Sequence, residues 1–209
     1  IERDMDGGTL ARRLLDRHVA HAVLEATQPY RDAAALIFDR DAEGQVIFET
    51  MDWEHPNRKS YWSRNQSLID RCVPLELALT EDPIQVMFNG GVDQMRMLAV
   101  LLDEASREYA VSLTEYEQRD FSLLDITSPL ATKGRALAWR ADQLGITRDE
   151  VMAIGDNFND LEMLEFAGRP VVMANAVEGL KGRGWHITAG QDEAGLAQAI
   201  QRFALTDNE

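Results

Sequence analysis

From Ile126 onward the chain settles into strict helix–strand alternation, and that texture restricts the fold more than any other feature. Lys133 to Leu144 has helical spacing, with Leu137, Ala138, Ala141 and Leu144 facing inward, and Gly145 stands where a left-handed C-terminal cap belongs. Thr147-Arg148-Asp149-Glu150 fits a capping box and predicts a short helical turn. Val151 to Ile154 is a brief apolar run ending at Gly155-Asp156, which suits a strand buried on both faces. A helix over Leu161 to Ala167, a strand at Pro170 to Met173, a helix at Val177 to Gly182, a strand at His186 to Thr188 and a helix at Ala194 to Phe203 complete the series. Such βαβ repetition implies a parallel sheet.

The first 126 residues read differently. Leu14, Leu15, Val19, Ala22, Val23 and Ala26 fall at helical spacing within residues 11–26. Strands are expected at Ala35 to Phe38, Val46 to Phe48, Ile84 to Phe88, Ala110 to Leu113 and Phe121 to Ile126. A helix is expected from Asn57 to about Arg71, with Tyr61, Trp62, Leu68 and Ile69 inward, and another carries Met95, Leu98, Ala99, Leu102 and Ala105 on one face. The division is therefore an α/β layer over 1–126 and a parallel-sheet portion over 127–209.

Charge narrows the partners. Acidic residues outnumber basic ones 36 to 21, a formal net charge of −15, so nucleic acid and anionic membranes are not expected to bind. A phosphate site on such a chain has to be made positive locally, by a metal ion or a placed lysine. No run approaches the about 18 apolar residues a membrane helix needs, and the start, Ile1-Glu2-Arg3-Asp4, lacks a signal-peptide core, so a cytoplasmic protein is the expectation. With Cys72 alone, no disulfide framework forms within one chain, and a small buried thiol is the favoured reading.

Gly155-Asp156-Asn157-Phe158-Asn159-Asp160 stands where a parallel strand gives way to a helix. Open α/β sheets bind ligands beyond the carboxyl ends of their strands, and Mg²⁺ takes a few carboxylates together with phosphate and water. A calcium loop is disfavoured by Phe158 and Leu161, whereas helix capping by Asn and Asp competes evenly for the hexapeptide taken alone. Lys133 tips the balance: it opens its helix at the same sheet edge, where the macrodipole disfavours a cation.

The segment from Asp125 to Phe203 resembles the C-terminal part of the haloacid dehalogenase (HAD) superfamily's large-cap phosphatases, the Cof-type branch. The resemblance rests on Thr132-Lys133-Gly134-Arg135-Ala136-Leu137, on Ile154 to Leu164, on Val172-Met173-Ala174-Asn175-Ala176 and on Asp192 to Ala197. It implies an α/β fold with a HAD-like parallel-sheet core, here its C-terminal part only, and an α/β cap domain. It also implies a Mg²⁺-dependent phosphate-monoester hydrolase acting on a small phosphorylated substrate such as a sugar phosphate, through an aspartyl-phosphate. By the same resemblance Lys133 holds the nucleophile and the phosphoryl group, Asp156 ligates the metal, Asp160 acts on the metal or its water, and Asn159 hydrogen-bonds in the phosphate site.

The family's nucleophile lies in an Asp-x-Asp-Gly-Thr motif after a first core strand, ahead of the cap. Asp4-Met5-Asp6-Gly7-Gly8-Thr9 is a near-match displaced by one glycine, with no apolar strand before it, and turn chemistry is favoured there. A truncated, inactive chain is therefore expected, with a non-catalytic phosphate- and Mg²⁺-binding module as the alternative. About three strands from residue 127 on would leave a sheet edge open. That edge and the acidic surface argue in opposite directions about oligomeric state. His18, His21, His55 and His186 fit no motif, and Trp53, Tyr61 and Trp62 read as core rather than as a substrate pocket.

Overall fold

The structure, a computed structural model, describes residues 1–103 and 108–205. Its described residues separate into two compact units, Ile1–Ala131 and Thr132–Glu209. The division falls after Ala131 rather than after Ile126, because the last strand of the first unit runs on to Thr127 and a turn closes it, Ala131 N–H donating to Ser128 C=O at 2.8 Å.

The first unit is built on a six-stranded sheet with two helices on one face and a third bordering the other. It begins with a hairpin, β1 (Glu2–Arg3) and β2 (Thr9–Ala11), followed by α1 (Arg17–Ala26), β3 (Ala34–Ile37), β4 (Val46–Phe48), α2 (Pro56–Asn65), β5 (Ile69–Arg71), β6 (Gln85–Gly90), α3 (Val92–Asp103), β7 (Ala110–Tyr116) and β8 (Phe121–Thr127). The spatial order is β5-β4-β3-β6-β8-β7, antiparallel except for the β4–β5 pair. Period-2 alternation sends Leu36, Val86, Phe88, Leu124 and Ile126 to the face covered by α1 and α3, where they are almost wholly buried with Leu24, Met95 and Leu98. Each such side chain contributes about 1.5–3 kcal/mol by leaving water. The opposite face carries a smaller apolar cluster, Ala35, Val46, Phe48 and Ile69, with Trp53 and Trp62 laid on it.

Two expectations for this unit are corrected, and a third falls where the structure does not test it. Helix α1 starts only at Arg17, because the Asp16 carboxylate caps it by accepting from His18 N–H at 2.7 Å, and Ala22 and Ala26 stay exposed. Helix α2 ends at Asn65, and Ile69 belongs to a strand paired in parallel with β4. Ala105 lies outside the described residues.

The second unit contains α4 (Lys133–Leu144), β9 (Met152–Gly155), α5 (Leu161–Phe166), β10 (Arg169–Met173), α6 (Glu178–Lys181), β11 (His186–Thr188) and α7 (Gly195–Phe203). Its three strands are all parallel, in the order β11-β10-β9. Ala153 and Val172 pack with Leu164, Ala167 and Leu180. Gly145 caps α4 with φ of 66°, and Thr147 and Glu150 form the capping box. Leu144 is exposed rather than inward, since the helix ends there. Among the described residues β9 pairs with β10 alone, so its other edge is open.

Candidate functional site

All three parallel strands of the second unit deliver their carboxyl ends to one edge, and the polar motif residues gather there. Strand β9 stops at Gly155, and the loop after it doubles back so closely that a Cβ at Gly155 would lie 2.5 Å from the Asp160 Cβ. Glycine is required at this position by that approach. The return places the Asp160 carboxylate, 6% exposed, under the loop, where Oδ2 accepts from the N–H of Asp156 at 3.0 Å and of Asn157 at 3.3 Å. A single helical turn, Phe158–Asp160, then leads into α5.

Lys133 reaches this loop from the first position of α4, whose N-cap Thr132 accepts from Arg135 N–H at 3.2 Å. Its ammonium sits 2.5 Å from Asp160 Oδ1. Gly134 makes that reach attainable: a Cβ there would lie 2.6 Å from the Glu162 Cβ and 2.8 Å from its carbonyl carbon, so α4 and α5 touch backbone to side chain. The cost of a cation at a helix start is offset by a nearly buried carboxylate directly beside it.

Asp156 is held from the neighbouring strand ends. Asn175, just past β10, donates Nδ2–H to Asp156 Oδ2 at 3.2 Å, and its own Oδ1 accepts from Gln191 N–H, after β11, at 2.9 Å. Asp156 C=O also accepts from Val177 N–H at 3.0 Å. Asn175 therefore laces together the loops following all three strands. Sequence reasoning quoted Asn175 within a motif and gave it no role; its position just beyond an apolar strand, beside a second such strand end, was the available signal.

The residues expected at the site thus divide. Lys133, Asp156 and Asp160 are brought together, and Asn159 lies in the same turn, half-buried. Both Asp160 oxygens are engaged by donors, whereas one Asp156 oxygen has no hydrogen-bond partner among the described residues. The net formal charge of Lys133 with the two carboxylates is −1, which repels a phosphate dianion until a divalent cation joins it. Hard carboxylate oxygens suit Mg²⁺, which needs only one or two of them. Among the described residues no group of three or more His, Cys, Asp or Glu side chains could hold a metal by itself.

Residues read as bland are structurally occupied. Asp4 turns the β1–β2 hairpin, its Oδ1 accepting from Gly8 N–H at 2.7 Å and Asp6 N–H at 3.0 Å. His55 caps α2, His186 stacks on Phe203 at 4.7 Å, and His21 lies 3.6 Å from Glu25. Cys72 packs against the first unit's core. Trp53 and Trp62 pack on each other at 5.0 Å, while Trp53 and Tyr61 also border a cavity.

Known proteins are similar to this chain in sequence and in fold. The family described as haloacid dehalogenase-like hydrolase matches residues 1–200. YxeH of Bacillus subtilis is 30% identical over 198 residues, covering 90% of this chain and 71% of YxeH. The 5-amino-6-(5-phospho-D-ribitylamino)uracil phosphatase YwtE of Bacillus subtilis is 31% identical over 126 residues, 57% of this chain and 44% of YwtE. A Haemophilus influenzae relative is 32% identical over 61% of this chain and 47% of its own length, so the chain spans about half the length of such curated relatives. Among solved structures, a haloacid dehalogenase-like hydrolase from B. subtilis superposes with TM-score 0.76 at 20% identity, covering 96% of this chain and 75% of that one. The subclass IIB sugar phosphatase BT4131 gives 0.67 at 19% identity, covering 92% and 67%. The chain belongs to the haloacid dehalogenase-like hydrolase family.

Proposed function

We propose that this haloacid dehalogenase-like hydrolase carries the lysine-and-acid half of a Mg²⁺-dependent phosphatase site. Its substrate would be a small phosphorylated metabolite such as a sugar phosphate. The observation that carries the reading is the meeting of Lys133, Asp160 and Asp156 at the carboxyl ends of parallel strands. Relatives named for a phosphoribityl compound and for sugar phosphatase activity support the substrate class.

Asp156 would hold the cation through the carboxylate oxygen that Asn175 leaves unengaged. When bound, Mg²⁺ supplies positive charge to the phosphoryl oxygens. Lys133 would donate to a phosphoryl oxygen, with Asp160 holding its ammonium in place and fixing the loop amides. Asn159 would hydrogen-bond the same group. Catalysis in such chemistry is mostly positioning and charge stabilisation, which these residues provide without themselves bonding to phosphorus. The attacking carboxylate would come from a further strand laid along the open edge of β9, and this chain alone would be inactive.

One observation favours a second reading, a non-catalytic phosphate- and Mg²⁺-binding module: both Asp160 oxygens are already engaged in holding Lys133 and the loop amides. Hydrolysis of p-nitrophenyl phosphate with Mg²⁺ separates the two. It is measured on this chain and on one extended upstream by a strand ending in Asp-x-Asp. Activity in the longer chain only, lost in Asp156→Ala, is expected. Activity of this chain that is lost in Asp4→Ala would move the nucleophile to the hairpin, and inactivity of both would leave the binding module.

A further inference from the structure

The first unit holds a cavity of about 340 Å³ on the sheet face away from α1 and α3, bordered by α2. Its floor is apolar, built from Val46, Met87 and Leu123, and aromatic rings of Trp53, Tyr61 and Phe121 stand around it. Three arginines, Arg58, Arg64 and Arg119, line it, and among the described residues no Asp or Glu does. This is unexpected in a chain where acids outnumber bases 36 to 21 and most arginines have found a carboxylate or carbonyl.

The arginines are not equivalent. Arg58 is planted on the buried Asn89, donating from Nε to its side-chain oxygen and from Nη2 to its carbonyl at 2.8 Å. Asn89 is fixed in turn by donating to Ala33 C=O at 3.2 Å. Arg64 and Arg119 are exposed, and neither guanidinium has an ion-pair partner among the described residues. They come from different elements, the end of α2 and the turn between β7 and β8. Trp53, which lines the same cavity, has its indole N–H buried without an acceptor among the described residues. Unpaired guanidiniums around an apolar, ring-walled floor give both halves of a recognition site: planar forks for an oxyanion and faces for a flat ring. The volume matches a small metabolite.

We propose that this cavity binds an acid group carried on a flat ring, an aromatic carboxylate or aryl phosphate, with Arg64 and Arg119 clasping the anion and the aromatic side chains taking the ring. The site lies wholly within the first unit and stands independently of the phosphatase reading, because its test reads binding rather than hydrolysis.

Phenyl phosphate, benzoate and the neutral benzyl alcohol are titrated by calorimetry into the whole chain in EDTA. The panel is repeated on Arg64→Ala/Arg119→Ala, on the paired lysine variant, and on Arg140→Ala, which removes an exposed arginine elsewhere. At least one anion is expected to bind, with benzyl alcohol at least tenfold weaker, and the tighter anion identifies the acid group. The double alanine variant should lose at least tenfold, the lysine variant less, and Arg140→Ala nothing. Circular dichroism checks the fold, and the lysine pair carries the test if the alanine pair does not fold. Equal binding of benzyl alcohol, no binding of either anion, or an equal loss in Arg140→Ala overturns the proposal. So does binding that persists in the double variant and disappears in Lys133→Ala, which would locate the anion in the second unit.

Discussion

The two units place their cations under opposite constraints. In the second, Lys133 is drawn against a nearly buried carboxylate that also holds two backbone amides, so the charge is fixed before any ligand arrives. In the first, Arg64 and Arg119 border an apolar floor without an ion-pair partner among the described residues, and Arg58 is anchored on Asn89. Their sheets differ in the same sense. Six largely antiparallel strands bury one face under two helices, whereas three parallel strands leave β9 with an open edge beside the polar loops. A preorganised site suits a group whose charge changes during reaction, and an open set of donors suits recognition of a ring-borne anion.

The contrast has measurable consequences. The largest concerns the cores: Phe88→Ala removes a fully buried ring and should cost the first unit about 3–5 kcal/mol in denaturant unfolding. The second unit's transition should stay in place, and a joint shift would show that the two do not unfold separately. Gly134→Ala should cost the second unit about 1–3 kcal/mol, because the new methyl group meets Glu162 backbone atoms that cannot swing aside.

A pH effect is expected from the first unit. Burial on the sheet pushes the Asp125 carboxyl up to about 6, against the opposing effect of Gln85 Nε2, which donates to it at 2.8 Å. The folded state therefore binds this proton more tightly than the unfolded chain, and the contribution is full below the ordinary carboxylate range near pH 4 and lost as pH rises through 6. Asp125→Asn should stabilise the first unit by about 1–2 kcal/mol at pH 7.5, after allowance for its partial contact with solvent, and by almost nothing at pH 3.5. A stabilisation equal at both pH values would mean that the carboxyl is not titrating as its burial implies. The smallest effect is Asn175→Ala, which should lower the second unit's stability by about 0.5–1.5 kcal/mol in the same unfolding experiment.

What the sequence disclosed follows from how far apart the interacting residues lie. The second unit's elements were legible because their signals are local: Gly145 at a left-handed cap, Thr147 with Glu150, and an apolar strand running into Gly155-Asp156. The pairing of Lys133 with Asp160 was expected only at the level of a shared sheet edge, since Gly134 and Glu162 decide how closely α4 and α5 meet. In the first unit, β5 was hidden because Leu68 and Ile69 continue the helical spacing of Tyr61 and Trp62, and only pairing with β4 makes Ile69 the start of a strand. The early hairpin was hidden by the brevity of its two- and three-residue strands. Arg119 joins Arg58 and Arg64 of α2 around the cavity from the turn between β7 and β8, a distance in sequence that no short window contains.

Thermal unfolding with and without millimolar Mg²⁺, read separately for the two units, bears most directly on the lysine-and-acid site. Mg²⁺ should raise the unfolding temperature of the second unit, leave the first unchanged, and lose its effect in Asp156→Ala. An equal shift in Asp156→Ala, or no shift at all, would contradict the assignment of Asp156 as the metal-holding carboxylate.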